Sequence, residues 1–132
     1  MSPLVSKNDY PHFKHVLQSR HGELRAAIHD ALLRSDQEPY QQVAGLVHDA
    51  QDESIADLLV DVNLAAISRE IQELRDVEAA LRRLVMGTYG VCTGCGLWIA
   101  RERLDAYPTA KRCVSCQRRE ERVRLAPPTP SL

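Results

Sequence analysis

All four cysteines of the chain, Cys92, Cys95, Cys113 and Cys116, fall in one array, C-x2-C-x17-C-x2-C. Each C-x-x-C turn aims two sulfurs at one ion, and four thiolates complete the closed tetrahedral shell of a structural Zn2+. The pattern therefore predicts a single zinc ion per chain in a C-terminal finger. Gly94 and Gly96 flank Cys95, where a tight knuckle demands positive φ and close backbone approach. The alternatives are two disulfides, which a chain without a secretion signal does not favour, or four free thiols. Four thiolates leave no coordination position open for water or substrate, so this metal holds a fold and does no chemistry.

Composition narrows the remaining classes. One Phe and one Trp in 132 residues leave a thin aromatic core and favour an elongated shape. A formal net charge of -1 argues against a polyanion binder driven by bulk charge. The charge is nevertheless uneven: Asp49, Asp52, Glu53, Asp57 and Asp61 crowd the middle, and Lys111, Arg112, Arg118, Arg119, Arg122 and Arg124 crowd the end. No aromatic residue lies among those arginines to stack bases, so the basic end reads as a solvated or protein-facing helix, with a nucleic-acid-binding zinc ribbon as the alternative. No apolar run reaches the length of a membrane span, and the start, M-S-P-L-V-S-K-N-D, lacks the apolar centre of a signal peptide. A cytoplasmic location and no membrane association are expected. Nothing in the sequence pairs a nucleophile with a base or cradles a phosphate on glycines, so an enzyme is not expected.

The longest periodic signal runs from Ile55 to Met86. Val60, Leu64, Ile67, Ile71, Leu74, Leu81 and Val85 recur at spacings of four and three, and Glu78 is the one break. This predicts one continuous helix of about thirty residues, a rod of roughly 45 to 50 Å. Phe13, Leu17, Leu24, Ile28, Ala31 and Leu32 supply a second seam from about Asp9 to Arg34. The simplest solution is an intramolecular antiparallel pair in a monomer, while homodimeric pairing and a coiled-coil adaptor protein are the alternatives. Pro39 and Gly45 interrupt the intervening segment, which has room for a short helical piece from Tyr40 to Val47. The expected fold is mainly α: a coiled-coil hairpin over 1–86 with its tip near 35–54, a four-cysteine zinc finger with a short C-terminal helix over 87–126, and a disordered tail over 127–132. Trp98 and Ile99 are expected to pack the finger against the coil end, and His12 and His15 to lie on a solvated helix face.

The stretch G-T-Y-G-V-C-T-G-C-G-L-W-I-A-R-E-R-L-D-A-Y-P-T-A-K-R-C-V-S-C, from Gly87 to Cys116, resembles the C4 zinc finger of the DksA/TraR family of bacterial transcription regulators. The resemblance lies in the Gly-x-Tyr-Gly lead, both knuckles, Ile99, the Arg103-Leu104 pair, Ala106, Pro108 and Ala110. It implies a protein that binds RNA polymerase directly, without sequence-specific DNA binding, by inserting a coiled-coil hairpin into the secondary channel. Members of that family carry an acidic D-x-x-D-x-A motif at the hairpin tip. Counting back from Cys92 places Asp49, Asp52 and Ser54 there, with Ser54 where the motif has alanine. Aspartate and serine also cap helix starts, so a capping role coexists with that one. Arg69 matches a basic polymerase-contacting position on the coil. The basic positions that help hold guanosine tetraphosphate correspond to Asp76, Tyr107 and Gln117, which implies a weak or absent response to that nucleotide.

Overall fold

The computed structural model describes residues 4–51 and 53–125; Asp52 and the tail expected over 127–132 lie outside the described residues. The architecture is a helical hairpin joined to a four-cysteine finger, with only two isolated bridges, Leu4 with Ala100 and Val91 with Trp98, in place of strands among the described residues. Helix α1 (Tyr10–Arg34) follows a 3-10 turn whose start is closed by a capping box between Ser6 and Asp9. The backbone N–H of Ser6 donates to Asp9 Oδ2 at 2.9 Å, and Pro11 sits in the first turn, where its missing N–H costs nothing. Phe13, Leu17, Leu24, Ile28 and Leu32 are buried along one face of α1.

The second limb differs from the expected single helix. The chain forms α2 (Glu38–Asp49), a one-turn α3 (Ile55–Leu58) and α4 (Ser68–Met86), with turns and a 3-10 stretch at Ala65–Ile67 between the last two. The interruption falls at Val60-Asp61-Val62-Asn63, a run of β-branched and short polar residues that lose side-chain freedom in a helix or compete with its backbone bonds. Pro39 occupies the first turn of α2, which contains the short helical piece expected over Tyr40–Val47, and Gly45 lies inside that helix without interrupting it. The seam also shifts. Val85 is 89% exposed and Val60 64% exposed, while Val77 and Leu84 turn inward beside Ile67, Ile71 and Leu74. Val60 falls in the interruption itself, whereas within α4 a straight 3.6-residue helix drifts by about 20° per heptad against a 3.5 repeat, so Leu84 takes the place that the seam gave to Val85.

Helices α1 and α4 pack antiparallel, and a bidentate pair crosses between them: Arg20 Nε to Glu73 Oε2 at 2.5 Å and Nη2 to Oε1 at 2.7 Å. The turn after α1 and the segment before α4 meet at the far end, where the Asn63 N–H donates to the Tyr40 hydroxyl at 3.2 Å. Between them α2 folds back along α1 and buries Ala44 and Val47.

At the opposite end the hairpin meets the finger through aromatic residues. Tyr89 is completely buried, with the Phe13 ring centroid 5.2 Å away and Tyr10 edge-on at 5.9 Å. The Tyr10 hydroxyl donates to the Tyr89 carbonyl at 3.0 Å, and the Tyr89 hydroxyl to that of Pro108 at 2.7 Å. Burial pushes the Tyr89 phenol well above its ordinary value, so it stays a neutral donor. Arg101 adds an ion pair to Asp9 at 2.6 Å and stands 5.8 Å from the Phe13 centroid. Ile99 is buried as expected, but Trp98 is half-exposed beside Val91, so Tyr89 and not Trp98 makes the joint. His12 and His15 are exposed on α1. No helix among the described residues is long and apolar enough to cross a membrane.

Candidate functional site

The finger begins where α4 stops. Gly87 takes a left-handed conformation (φ 77°), and the N–H groups of Thr88 and Tyr89 both turn back to the Arg83 carbonyl. The first knuckle then closes on itself: Cys92 N–H donates to Leu97 O at 2.7 Å and Gly96 N–H to Cys92 O at 2.9 Å. Thr93 N–H donates to Lys111 O at 2.8 Å and brings the second knuckle alongside. Cys113 immediately precedes α6 (Val114–Leu125), and Cys116 lies in its first turn; α5 (Arg101–Ala106) fills the span between the knuckles. The two glycines beside Cys95 serve different ends. Gly96 has φ 76°, whereas a side chain at Gly94 would stand 3.1 Å from Cys116 Sγ.

The four sulfurs lie within 4.8 Å of one another, and all four cysteines are free of disulfides. A tetrahedral shell with Zn–S bonds of about 2.3 Å needs sulfurs about 3.8 Å apart. Cys95 and Cys113 already stand at 3.9 Å. Burial works against ionising Cys92, but the N–H groups of Cys113, Cys95 and Gly94 outweigh it and bring that thiol down to about 6. The neighbouring Cys113 thiol, together with burial, pushes Cys116 up to about 11, a cost that a cation among the sulfurs removes. An all-sulfur, closed, tetrahedral donor set is a structural zinc site, and this chain carries one zinc ion there.

Asp49 lies elsewhere than expected. Asp49 ends α2, with its carboxylate 83% exposed and 3.1 Å from His48 Nδ1. It stands beside Arg25, about nine residues and roughly 14 Å of helix rise before the end of α1, and so on the flank of the hairpin and not at its far end. Asp52 lies outside the described residues. Ser54 caps α3, accepting from Asp57 N–H at 3.2 Å and donating to Glu78 Oε1 at 2.6 Å. The hydroxyl that replaces the motif's methyl is thus engaged within the protein.

Glu78 is the residue that sequence reading undervalued. It is the only buried charged residue among those described, and its carboxylate receives the Ser54 hydroxyl, Ile55 N–H at 3.0 Å and Ala56 N–H at 3.3 Å, with His21 Nε2 at 2.8 Å. Burial opposes its charge, yet His21, Ser54 and the two backbone donors outweigh burial and hold it down to about 2. The signal was in the seams: α1 has no apolar residue at the position midway between Leu17 and Leu24, α4 breaks at Glu78, and the two gaps face each other.

Asp76, Tyr107 and Gln117 line one groove of about 550 Å3 between α4 and the finger, together with Arg103, Lys111, Arg112 and Arg124. Asp76 is held by Gln72 at 3.2 Å, Arg103 by the Arg112 carbonyl at 3.0 Å, and Arg124 by Glu120 at 3.3 Å. Arg69 lines an adjoining groove with Arg20, Glu73 and Tyr107.

Residues 87–122 match the prokaryotic dksA/traR C4-type zinc finger family. An uncharacterized protein of Aquifex aeolicus is 42% identical over 53 residues, 40% of this chain and 37% of that protein. The RNA polymerase-binding transcription factor DksA of Salmonella typhimurium is 26% identical over 106 residues, covering 80% of this chain and 67% of its own length. Among solved structures, transcription factor DksA2 from Pseudomonas aeruginosa superposes with a TM-score of 0.59 at 25% identity, over 90% of this chain and 88% of the other.

Proposed function

Because this chain is a DksA-like protein bearing a DksA/TraR C4-type zinc finger, we propose that it regulates transcription by binding RNA polymerase directly. The observation that carries this reading is the joint occurrence, over 90% of the chain, of a coiled-coil hairpin and a closed C4 finger in the arrangement of DksA2. In this reading the hairpin enters the polymerase secondary channel, and Asp49 with Asp52 brings negative charge toward the catalytic metal and the mobile elements around it. Ser54 sets the backbone of that acidic segment, and Arg69 contacts the polymerase from the coil. The protein acts as a cytoplasmic monomer and catalyses nothing, its effect being electrostatic and steric. With Asp49 on the flank of the hairpin, contact is made from the side of the limb.

Capture of purified RNA polymerase by the zinc-loaded protein, with a changed lifetime of a sensitive promoter complex, is the expected result. No capture, with DNA retention that falls steeply with salt, would overturn the proposal in favour of a nucleic-acid-binding ribbon. The response to guanosine tetraphosphate is weak in this reading, because Asp76 lines the groove and Arg103, Arg112 and Arg124 are already engaged, which leaves Lys111 as its one uncommitted cation among the described hydrogen bonds. Asp76→Lys combined with Tyr107→Arg and Gln117→Lys should raise the nucleotide's effect, measured by transcription with a polymerase that retains only its secondary-channel nucleotide site.

A further inference from the structure

We propose that Arg25 and Glu78 are positioning residues that set the acidic segment for its effect on the polymerase, an inference that rests on the reading of Asp49 above. The hairpin grips this segment on both sides with opposite charges. On the leading side, Arg25 Nη2 donates to the carbonyls of Val47 (2.6 Å), His48 (3.2 Å) and Ala50 (2.5 Å). The end of α2 leaves such carbonyls without helical partners, and a cation there complements the negative end of the helix. On the trailing side, Glu78 accepts from Ser54, Ile55 and Ala56, so an anion meets the N–H groups that open α3.

The two clips come from different helices, α1 and α4, and hold the chain at Ala50 and again at Ser54. The direction in which Asp49 leaves α2 is therefore fixed by two points on the hairpin. Stability alone does not account for a carboxylate at position 78. A buried charge contributes no more than a well-packed apolar residue of similar volume, and the seam on either side is apolar. What an apolar residue cannot do is receive the backbone donors of a segment folded back from the far end.

Amide hydrogen exchange and promoter assays test the proposal together. Arg25→Gln should raise exchange at Ala50, and Glu78→Gln at Ile55 and Ala56, by at least about tenfold more than at Leu24, Ile28 and Leu74 in the hairpin. Polymerase capture should stay within about threefold of the parent while the effect on promoter complexes falls at least about fivefold, and Arg25→Lys should restore part of it by keeping the charge. If Glu78→Gln fails to fold, Arg25→Gln, at a half-buried position, still decides the matter. Raised exchange with an unchanged promoter effect overturns the positioning role, and so does unchanged exchange in both variants. Asp49→Asn separates this inference from the reading beneath it. Loss of effect in Asp49→Asn with the clip variants at parent activity refutes the clips alone, and parent activity in Asp49→Asn refutes the acid and the positioning with it.

Discussion

The two ends of the hairpin are built on different physical terms. At the finger end, a buried tyrosine, a knuckle of short-range hydrogen bonds and four sulfurs close around one point, and nearly every contact joins residues within the 87–116 stretch or the first turn of α1. Along the folded-back limb, α2 and α3 are secured by single charged side chains reaching from helices far away in sequence. The first region gains its order from a metal and local turns, which a sequence displays as fixed spacings. The second gains it from long-range pairing of charge with helix ends, which a sequence displays only as interruptions.

Removing the metal is the strongest way to separate the two regions. The binding free energy of a structural zinc site, about 10 to 16 kcal/mol in isolated fingers, is folding free energy. Chelation or Cys113→Ser should therefore unfold residues 87–125 and release Tyr89, while much of the α1–α4 helicity remains. Metal analysis showing one zinc per parent chain, with circular dichroism of the apo protein and the variant, checks this.

Leu74→Asp tests the seam that both regions share. Leu74 is fully buried, so an unpaired carboxylate there should cost about 4 kcal/mol, read from denaturant midpoints. Glu78→Gln should cost less, about 3 kcal/mol at neutral pH, because it removes a buried charge to which His21, Ser54 and the N–H groups of Ile55 and Ala56 are all paired. The pH dependence has a definite sign. A carboxylate lowered on folding contributes its full stability above about pH 4.5 and loses it as pH falls toward 2, so the gap between parent and Glu78→Gln should close over that window. A gap that stays constant from pH 7 to 2.5 would show that the charge of Glu78 is not what holds α3. Arg20→Ala gives the smallest effect. Its fork to Glu73 is well formed but both side chains are 40% exposed or more, so about 0.5 kcal/mol is expected in the same denaturant series.

The α1 seam, the zinc ligands and the glycine requirements at the first knuckle were all legible, because heptad spacing, C-x-x-C pairs and glycine position are local and each has one physical reading. The length of the second helix was not. Alternating apolar residues from Val60 to Ile67 continue the pattern of α4 on paper, but V-D-V-N has low helix propensity, and the chain can bury Leu59 and turn back instead. Assigning the joint to Trp98 failed for a related reason: size and apolarity nominate an aromatic residue, but only the path of the backbone decides whether Tyr89 or Trp98 faces Phe13.

What the sequence by itself determined is a mainly helical chain with one four-cysteine zinc finger, since ligand spacing and a sustained apolar period leave few alternatives; its likeness to the DksA/TraR finger lies in the residues around those cysteines. What only the tertiary structure decided is where the acidic segment sits and what holds it. Arg25 is one of several exposed-looking arginines in the sequence, and Glu78 looks like a defect in a seam. Both acquire their roles because α2 folds back on α1, which brings three unpaired carbonyls to a guanidinium and two N–H groups with a hydroxyl to a carboxylate. Unsatisfied backbone groups at helix ends must find partners, but which side chain supplies them depends on where the fold sets each end down.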